Sequence, residues 1–274
     1  VKRDFAIVAF FSLILIAVGE WLAQAGYLSP AASDKGDAID RAFRVLVMYA
    51  VPVFSVVIVT LVYSILRYRV RGEPVSDGPA QYGRGVVPVI WVGVTAALCL
   101  LLIVYPGLTE LPNIIGNPSN PDLLVKVDGR QWSWTVTYPA YSLEVHDELV
   151  LPINRQVQFQ LTSADVIHDF WIPAFRMHMD MVPGQTTYVS LRPTRLGTTA
   201  DDSELRLQCS QLCGLGHSVM AMPVRVVSDA DFSAWLVQRG AKNTASVTAA
   251  APDASASGAR SQVAGPTDNR GSAQ

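Results

Sequence analysis

The segment Cys209-Ser-Gln-Leu-Cys213-Gly-Leu-Gly-His217-Ser-Val-Met220 carries two thiols, an imidazole and a thioether within twelve residues. Sulfur ligands favour copper(I) and other soft ions, and imidazole suits copper in either oxidation state. A loop of Cys, His and Met that closes on a distant His is the ligand set of a copper site on a β-sandwich. Cys213, His217 and Met220 supply the loop part. For the distant histidine, His168 lies in an apolar strand context (Val166-Ile167-His168), whereas His146 lies between Glu144 and Asp147 in a charged turn. His168 is therefore the expected ligand. Cys209 is surplus to a single-copper site, but two thiolates four residues apart on one loop can bridge two metals. Two rival readings use the same residues. A Cys209–Cys213 disulfide leaves His217 and Met220 at ligand spacing without a reason, and a zinc site of Cys209, Cys213, His217 and His168 leaves Met220 idle.

Around this loop, from about Pro112 to Val227, short runs of alternating or β-branched residues are split by turn pairs. The expected strands include Leu123–Val127, Trp132–Thr137, Val157–Leu161, Thr187–Leu191 and Val224–Val227. Many short strands without helical periodicity between them predict a β-sandwich. Ser228 is placed to cap a terminal helix. Residues 241–274 are Ala, Ser, Thr, Gly and Pro with few large apolar side chains, a composition expected to be disordered.

Upstream the chain is of another kind. Half of the 274 residues are hydrophobic, 16% are charged and the mean hydropathy is +0.28. Soluble proteins carry about 25% charged residues, so a lipid bilayer is an expected partner. Val45–Leu66 and Gly85–Leu108 contain no charged residue and are each long enough to cross about 30 Å of hydrocarbon. They predict a transmembrane helical hairpin over residues 43–108, ahead of a sandwich domain over 112–240. Phe5–Val18 follows Lys2 and Arg3 and leads into Ala23-Gln-Ala25. It reads either as a signal peptide over 1–25 or as an extra transmembrane helix. Arg67, Arg69, Arg71 and Arg84 between the two spans mark that loop as cytoplasmic, which puts the sandwich outside a bacterial inner membrane. Cys99, within an apolar run, reads as a small buried hydrophobe. No basic face marks a nucleic-acid partner.

With two spans, the Cys209–Met220 loop and Asp165-Val-Ile-His168 in this order, the chain resembles subunit II of haem-copper cytochrome c oxidases over roughly residues 42–239. The resemblance implies a membrane-anchored α plus all-β protein with a cupredoxin-like sandwich holding a dinuclear copper (CuA) centre. By position, Cys209 and Cys213 bridge the coppers, His168 and His217 bind one each, Met220 is a weak thioether ligand and Gln211 contributes its backbone carbonyl. Trp132, in Gln131-Trp-Ser-Trp134, matches the tryptophan that receives the electron from cytochrome c, the electron then passing to haem in subunit I, where dioxygen is reduced. Oxidase subunit I, the other oxidase subunits and cytochrome c are the implied partners. The chain departs from the family at two places. Gln211 stands where a Glu commonly reaches a magnesium site, and an amide is a poorer ligand for a hard cation. Pro88 stands where many relatives carry a proton-path Glu.

The same ligands suit the CuA subunit of a nitric oxide reductase, and a membrane-tethered copper chaperone is a further alternative. Met177-His-Met-Asp-Met181 reads as a strand against the membrane part or a partner, or as a copper-loading site. Between Gly107 and Arg239 there are 14 acidic and 9 basic residues, net −5. That sign predicts steering of a basic cytochrome c by Asp128, Glu144, Asp147, Glu148, Asp201, Asp202 and Glu204.

Overall fold

The computed structural model describes residues 2–26, 29–69, 72, 83, 85–118 and 120–242. The expectation for the tail therefore falls almost wholly outside the described residues.

Among the described residues, three helices are apolar and long enough to cross a membrane. Helix α1 (Lys2–Ala23) runs antiparallel along α2 (Asp34–Arg67): Gly19 abuts Val51, and Asp4 bonds Tyr63 and pairs with Arg67. Helix α2 starts well before the apolar run that announces it. Ser33 caps it by accepting the Gly36 N–H at 2.9 Å, and Asp34 and Asp37 suit its first turn. At 34 residues it spans about 50 Å, so its first turns stand clear of the hydrocarbon. Helix α3 (Val86–Leu102) continues into a wider turn over Ile103–Leu108, broken at Tyr105 (φ −138°, ψ 121°), the residue before Pro106. A short helix α4 (Leu111–Ile115) leads into the sandwich. Cys99 proves exposed on α3 rather than buried, because an apolar run meant for lipid has no protein core around it.

One sheet of the sandwich has the order β3-β2-β1-β5-β8, from β1 (Leu123–Arg130), β2 (Ser133–Tyr138), β3 (Leu143–Val145), β5 (Val157–Ser163) and β8 (Thr187–Leu191). The other has β4-β11-β10-β6-β7, from β4 (Leu149–Pro152), β6 (His168–Ile172), β7 (Met177–Met181), β10 (Arg206–Gln208) and β11 (Ala221–Val227), with β9 (Gly197–Thr198) added beside β11. Strands β1 and β5, and β4 and β11, pair in parallel, while the other pairs are antiparallel. Burial alternates along β1, β2, β5 and β11, so one face of each points inward. Val125, Val127, Val136, Leu161, Val224 and Val226 fill the interior, and Phe159 meets Phe170 across the sheets at 4.9 Å between ring centroids. Helix α5 (Asp229–Gln238), capped by Ser228 as expected, covers one end through Phe232 and Trp235 against Tyr138.

The early turns of α2 are docked on this sandwich. Lys35 is buried and donates to the carbonyls of Ile114 (2.7 Å) and Gly116 (2.6 Å). Arg176 donates to Asp40 at 3.0 Å and to the Ser29 carbonyl, and pairs with Glu204. The sandwich and the start of α2 therefore lie on one side of the spans. Met177–Met181 is an edge strand, and Met177 and Met179 line a cleft with Lys35, Ile39 and Ile114. This is the packing role the sequence offered for it.

Candidate metal centre

The connection between β10 and β11 is the Cys209–Met220 loop. The Cys209 N–H donates to the Met220 carbonyl at 3.1 Å and closes its base. Inside it, His217 N–H to Gly214 O (3.1 Å) and Val219 N–H to Gly216 O (3.1 Å) curl the chain. Cys209, Cys213 and Met220 are buried. The two Sγ atoms are 3.7 Å apart as free thiols, not joined as the rival disulfide would require. His217 Nδ1 lies 3.7 Å and Met220 Sδ 3.8 Å from Cys213 Sγ. Cys209 Sγ is 4.0 Å from His168 Nδ1 and 3.1 Å from the Gln211 carbonyl oxygen. All six residues expected to form the ligand set are thus together. His146 is elsewhere, bonded to Thr135 and beside Glu144.

His168 arrives from the start of β6, fully buried. Its Nε2 bonds Asp165 Oδ1 at 2.8 Å, which leaves the Nδ1 lone pair facing the sulfurs. Asp165 also accepts the N–H groups of Gln131 (2.8 Å) and Val166 (2.7 Å). Burial opposes the charge on this carboxyl, but these donors hold it below the usual carboxylate range. Gln131 then gives its side-chain N–H to the Cys213 carbonyl at 2.7 Å, tying β1 to the loop. Gly129 backs the imidazole: a Cβ there would sit 3.1 Å from His168 Cδ2. Burial, followed by the neighbouring Cys209, pushes the Cys213 thiol up to about 11. That thiol is thus neutral until a cation draws its proton off.

The donor set fits a pair of soft ions better than one hard ion. Two buried sulfurs lie at bridging separation, with an imidazole nitrogen near each, and the thioether is turned inward rather than idle as the zinc reading has it.

Trp132 and Trp134 part company. Trp134 is 1% exposed and packs edge-on to the His168 ring, with 6.3 Å between centroids. Trp132 is 40% exposed and lies on Gly214 and Gly216; a Cβ on Gly216 would come within 2.4 Å of its Cδ2. Sequence reasoning quoted Asp165 and Gln131 but gave them no role, and it passed over Gly129, Gly216 and the buried Asp169. The last accepts from Ser210 Oγ (2.6 Å) and His178 Nδ1 (3.1 Å), and burial raises its pKa. An Asp three residues before a candidate His ligand was the one local signal available.

A family model described as cytochrome c oxidase subunit II, periplasmic domain, matches residues 140–227, and the corresponding transmembrane domain matches residues 20–109. The chain is 30% identical over 253 residues to cytochrome c oxidase subunit 2 of Schizosaccharomyces pombe, covering 83% of this chain and 97% of that protein. It belongs to the cytochrome c oxidase subunit II family. A second member, the alternative cytochrome c oxidase subunit 2 of Bradyrhizobium diazoefficiens, is 28% identical over 261 residues, covering 83% of this chain and 90% of that one. Among solved structures, the periplasmic domain of subunit II of cytochrome oxidase from Bradyrhizobium japonicum shares 31% identity. The match covers 44% of this chain and 95% of that one, with a TM-score of 0.41. Membership agrees with the architecture found here, apolar helices followed by a cupredoxin-like sandwich with a Cys, Cys and His cluster.

Proposed function

We propose that this chain is the electron-accepting subunit of a cytochrome c oxidase, receiving electrons from a cytochrome c and passing them to haem in subunit I for reduction of dioxygen. The observation that carries the reading is the buried pair of sulfurs 3.7 Å apart, with His168 Nδ1 and His217 Nδ1 directed at them. Cys209 and Cys213 would bridge two copper ions, with His168, His217, Met220 and the Gln211 carbonyl completing the set. When bound, a dinuclear copper centre of the CuA type supplies reversible one-electron capacity shared by two metals.

The chain's own part is to keep that set still. Asp165 fixes the His168 tautomer, Gln131 anchors the Cys213 carbonyl, and the Cys209–Met220 bond closes the loop. Little then needs to move when charge changes, which favours fast transfer. Trp132, exposed on one side and against the loop on the other, is the proposed point of electron input. The sandwich is proposed to face the extracytoplasmic side, opposite the arginine-rich loop between α2 and α3.

The test is to load the full-length chain with copper, count the metal and record its EPR spectrum. Two coppers per chain and a seven-line hyperfine pattern, from one unpaired electron shared by two equivalent nuclei, are expected. One copper with a four-line pattern would sink the reading and favour a copper chaperone.

A further inference from the structure

We propose that Asp169 is a positioning residue for the metal loop. It holds the Cys209–Gln211 turn through Ser210, and its negative charge lowers the reduction potential of the centre bound there. This rests on the electron-accepting reading given above.

Consecutive residues of a strand point to opposite faces, so β6 presents His168 on one side and Asp169 on the other. His168 Nδ1 stands 4.0 Å from Cys209 Sγ. Asp169 Oδ1 accepts from Ser210 Oγ at 2.6 Å, one residue further along the same loop. Two neighbouring residues of a single strand therefore grip two neighbouring residues of the loop. Residues 209–213 lie in neither helix nor strand, so side-chain bonds have more to do there. Ser210 also separates Cys209 from Gln211, whose carbonyl oxygen is 3.1 Å from Cys209 Sγ. A shift of Ser210 moves both of those donor atoms.

The second oxygen of Asp169 is held as well. His178 Nδ1, on the edge strand β7, lies 3.1 Å from Oδ2. Asp180 is the cross-strand partner of Asp169 in the β6–β7 ladder. Asp169 itself is only 3% exposed. Burial, and Asp180 across the ladder, raise its pKa against the bonds from Ser210 and His178. An amide would accept from Ser210 without the cost of burying a charge, so the tether alone does not call for a carboxylate. A fixed negative charge favours the more positive, oxidised form of a nearby metal centre. Its effect is larger where water is excluded. The His178 side chain is 68% exposed, so solvent screens it far more than it screens Asp169. The two functions can be separated by substitution.

The experiment uses the full-length chain in lipid nanodiscs, with and without copper. Asp169→Asn removes the charge and keeps an acceptor for Ser210. Spectroelectrochemistry should show the reduction equilibrium displaced about tenfold toward the reduced form, about 59 mV upward for one electron. Its dinuclear EPR pattern should stay unchanged. Ser210→Ala keeps the charge and cuts the tether. In the copper-free chain, amide exchange over residues 209–213 should then rise about tenfold, the loss expected for a bond to a charged acceptor. Exchange in β1 and β5 should stay at the wild-type rate in both variants, which shows that the sandwich is folded. A potential in Asp169→Asn within about threefold of wild type in equilibrium constant (under about 30 mV) would overturn the proposal. So would unaltered loop exchange in Ser210→Ala. An intact dinuclear spectrum beside either result would leave the electron-accepting reading standing. Absence of that spectrum in the wild-type chain would instead remove the reading, and with it the claim on the potential, while copper-free exchange would still decide the tether.

Discussion

Gly216 has an ordinary backbone conformation (φ −91°), so what it contributes is space. A methyl group there would overlap the Trp132 ring, which has Gly214 on its other contact. We expect Gly216→Ala to displace the indole and slow reduction by a donor about ten- to a hundredfold, with copper count unchanged. Stopped-flow kinetics beside EPR measures both, and an unaffected rate would mean that electrons do not pass through Trp132. At this scale the sequence was informative wherever the chemistry is local. Cys209, Cys213, His217 and Met220 share one loop, and their spacing alone suggests a common ligand set. Asp165 and Gln131 could not be given roles in the same way. Gln131 meets Asp165 and Cys213 at 34 and 82 residues' separation, distances over which no local pattern reports contact.

Among the elements, α2 and α5 are each held by charged groups that can be removed singly. Arg176, itself in a left-handed conformation (φ 58°), joins Asp40, Glu204 and the carbonyls of Ser29 and Pro173. Arg176 and Asp40 are largely buried, so Arg176→Ala leaves an uncompensated carboxylate and should cost about 3 kcal/mol. Faster amide exchange over the first turns of α2 is the expected signature, with partial rescue by Lys, which lacks the forked donor geometry. If exchange there is unchanged, the docking rests on Lys35 and Ser33 instead.

Helix α5 is tied down by Arg239 on Asp147 and Glu148, while Trp235 Nε1 donates to Glu148 at 2.7 Å. Burial raises the Glu148 pKa, but the bonds from Arg239, Trp235 and Arg225 outweigh it and hold it low. The Arg239 bond likewise lowers Asp147. A carboxyl whose folded pKa lies below its unfolded value stabilises fully above the unfolded value, about 4. That stabilisation is lost as pH falls through the folded pKa. Trp235 fluorescence should therefore report loosening of α5 only below about pH 4, and Glu148→Gln should flatten the profile. A wild-type transition centred above about pH 5 would contradict the assignment. The sequence placed α5 and its Ser228 cap correctly, since capping is local. The same locality misled at α2. Hydropathy begins at Val45, whereas the helix begins at Asp34, because contacts with the sandwich rather than lipid stabilise its polar first turns.

For the whole molecule, the open question left by the first apolar stretch now has a structural side. Gly19 fits against Val51, and Asp4 meets Tyr63 and Arg67 near the other end of α2, a packing expected of a retained third span. The intact mass of the purified protein should then include residues 2–25. A mass that begins at Gly26 would return the stretch to a cleaved signal peptide. The sequence by itself determined the membrane-anchored class, the β-sandwich and the loop whose residues are proposed as ligands, because uncharged length, period-two alternation and side-chain spacing are written within single segments. Tertiary structure alone decided which histidine nitrogen faces the sulfurs, which tryptophan reaches the surface, and how the net −5 is spent. Each of these depends on groups brought together from distant strands: Asp165 under His168, Gly216 under Trp132, and arginines beside the acidic residues. Composition counts such charges but does not pair them, and pairing decides whether a partner can feel them.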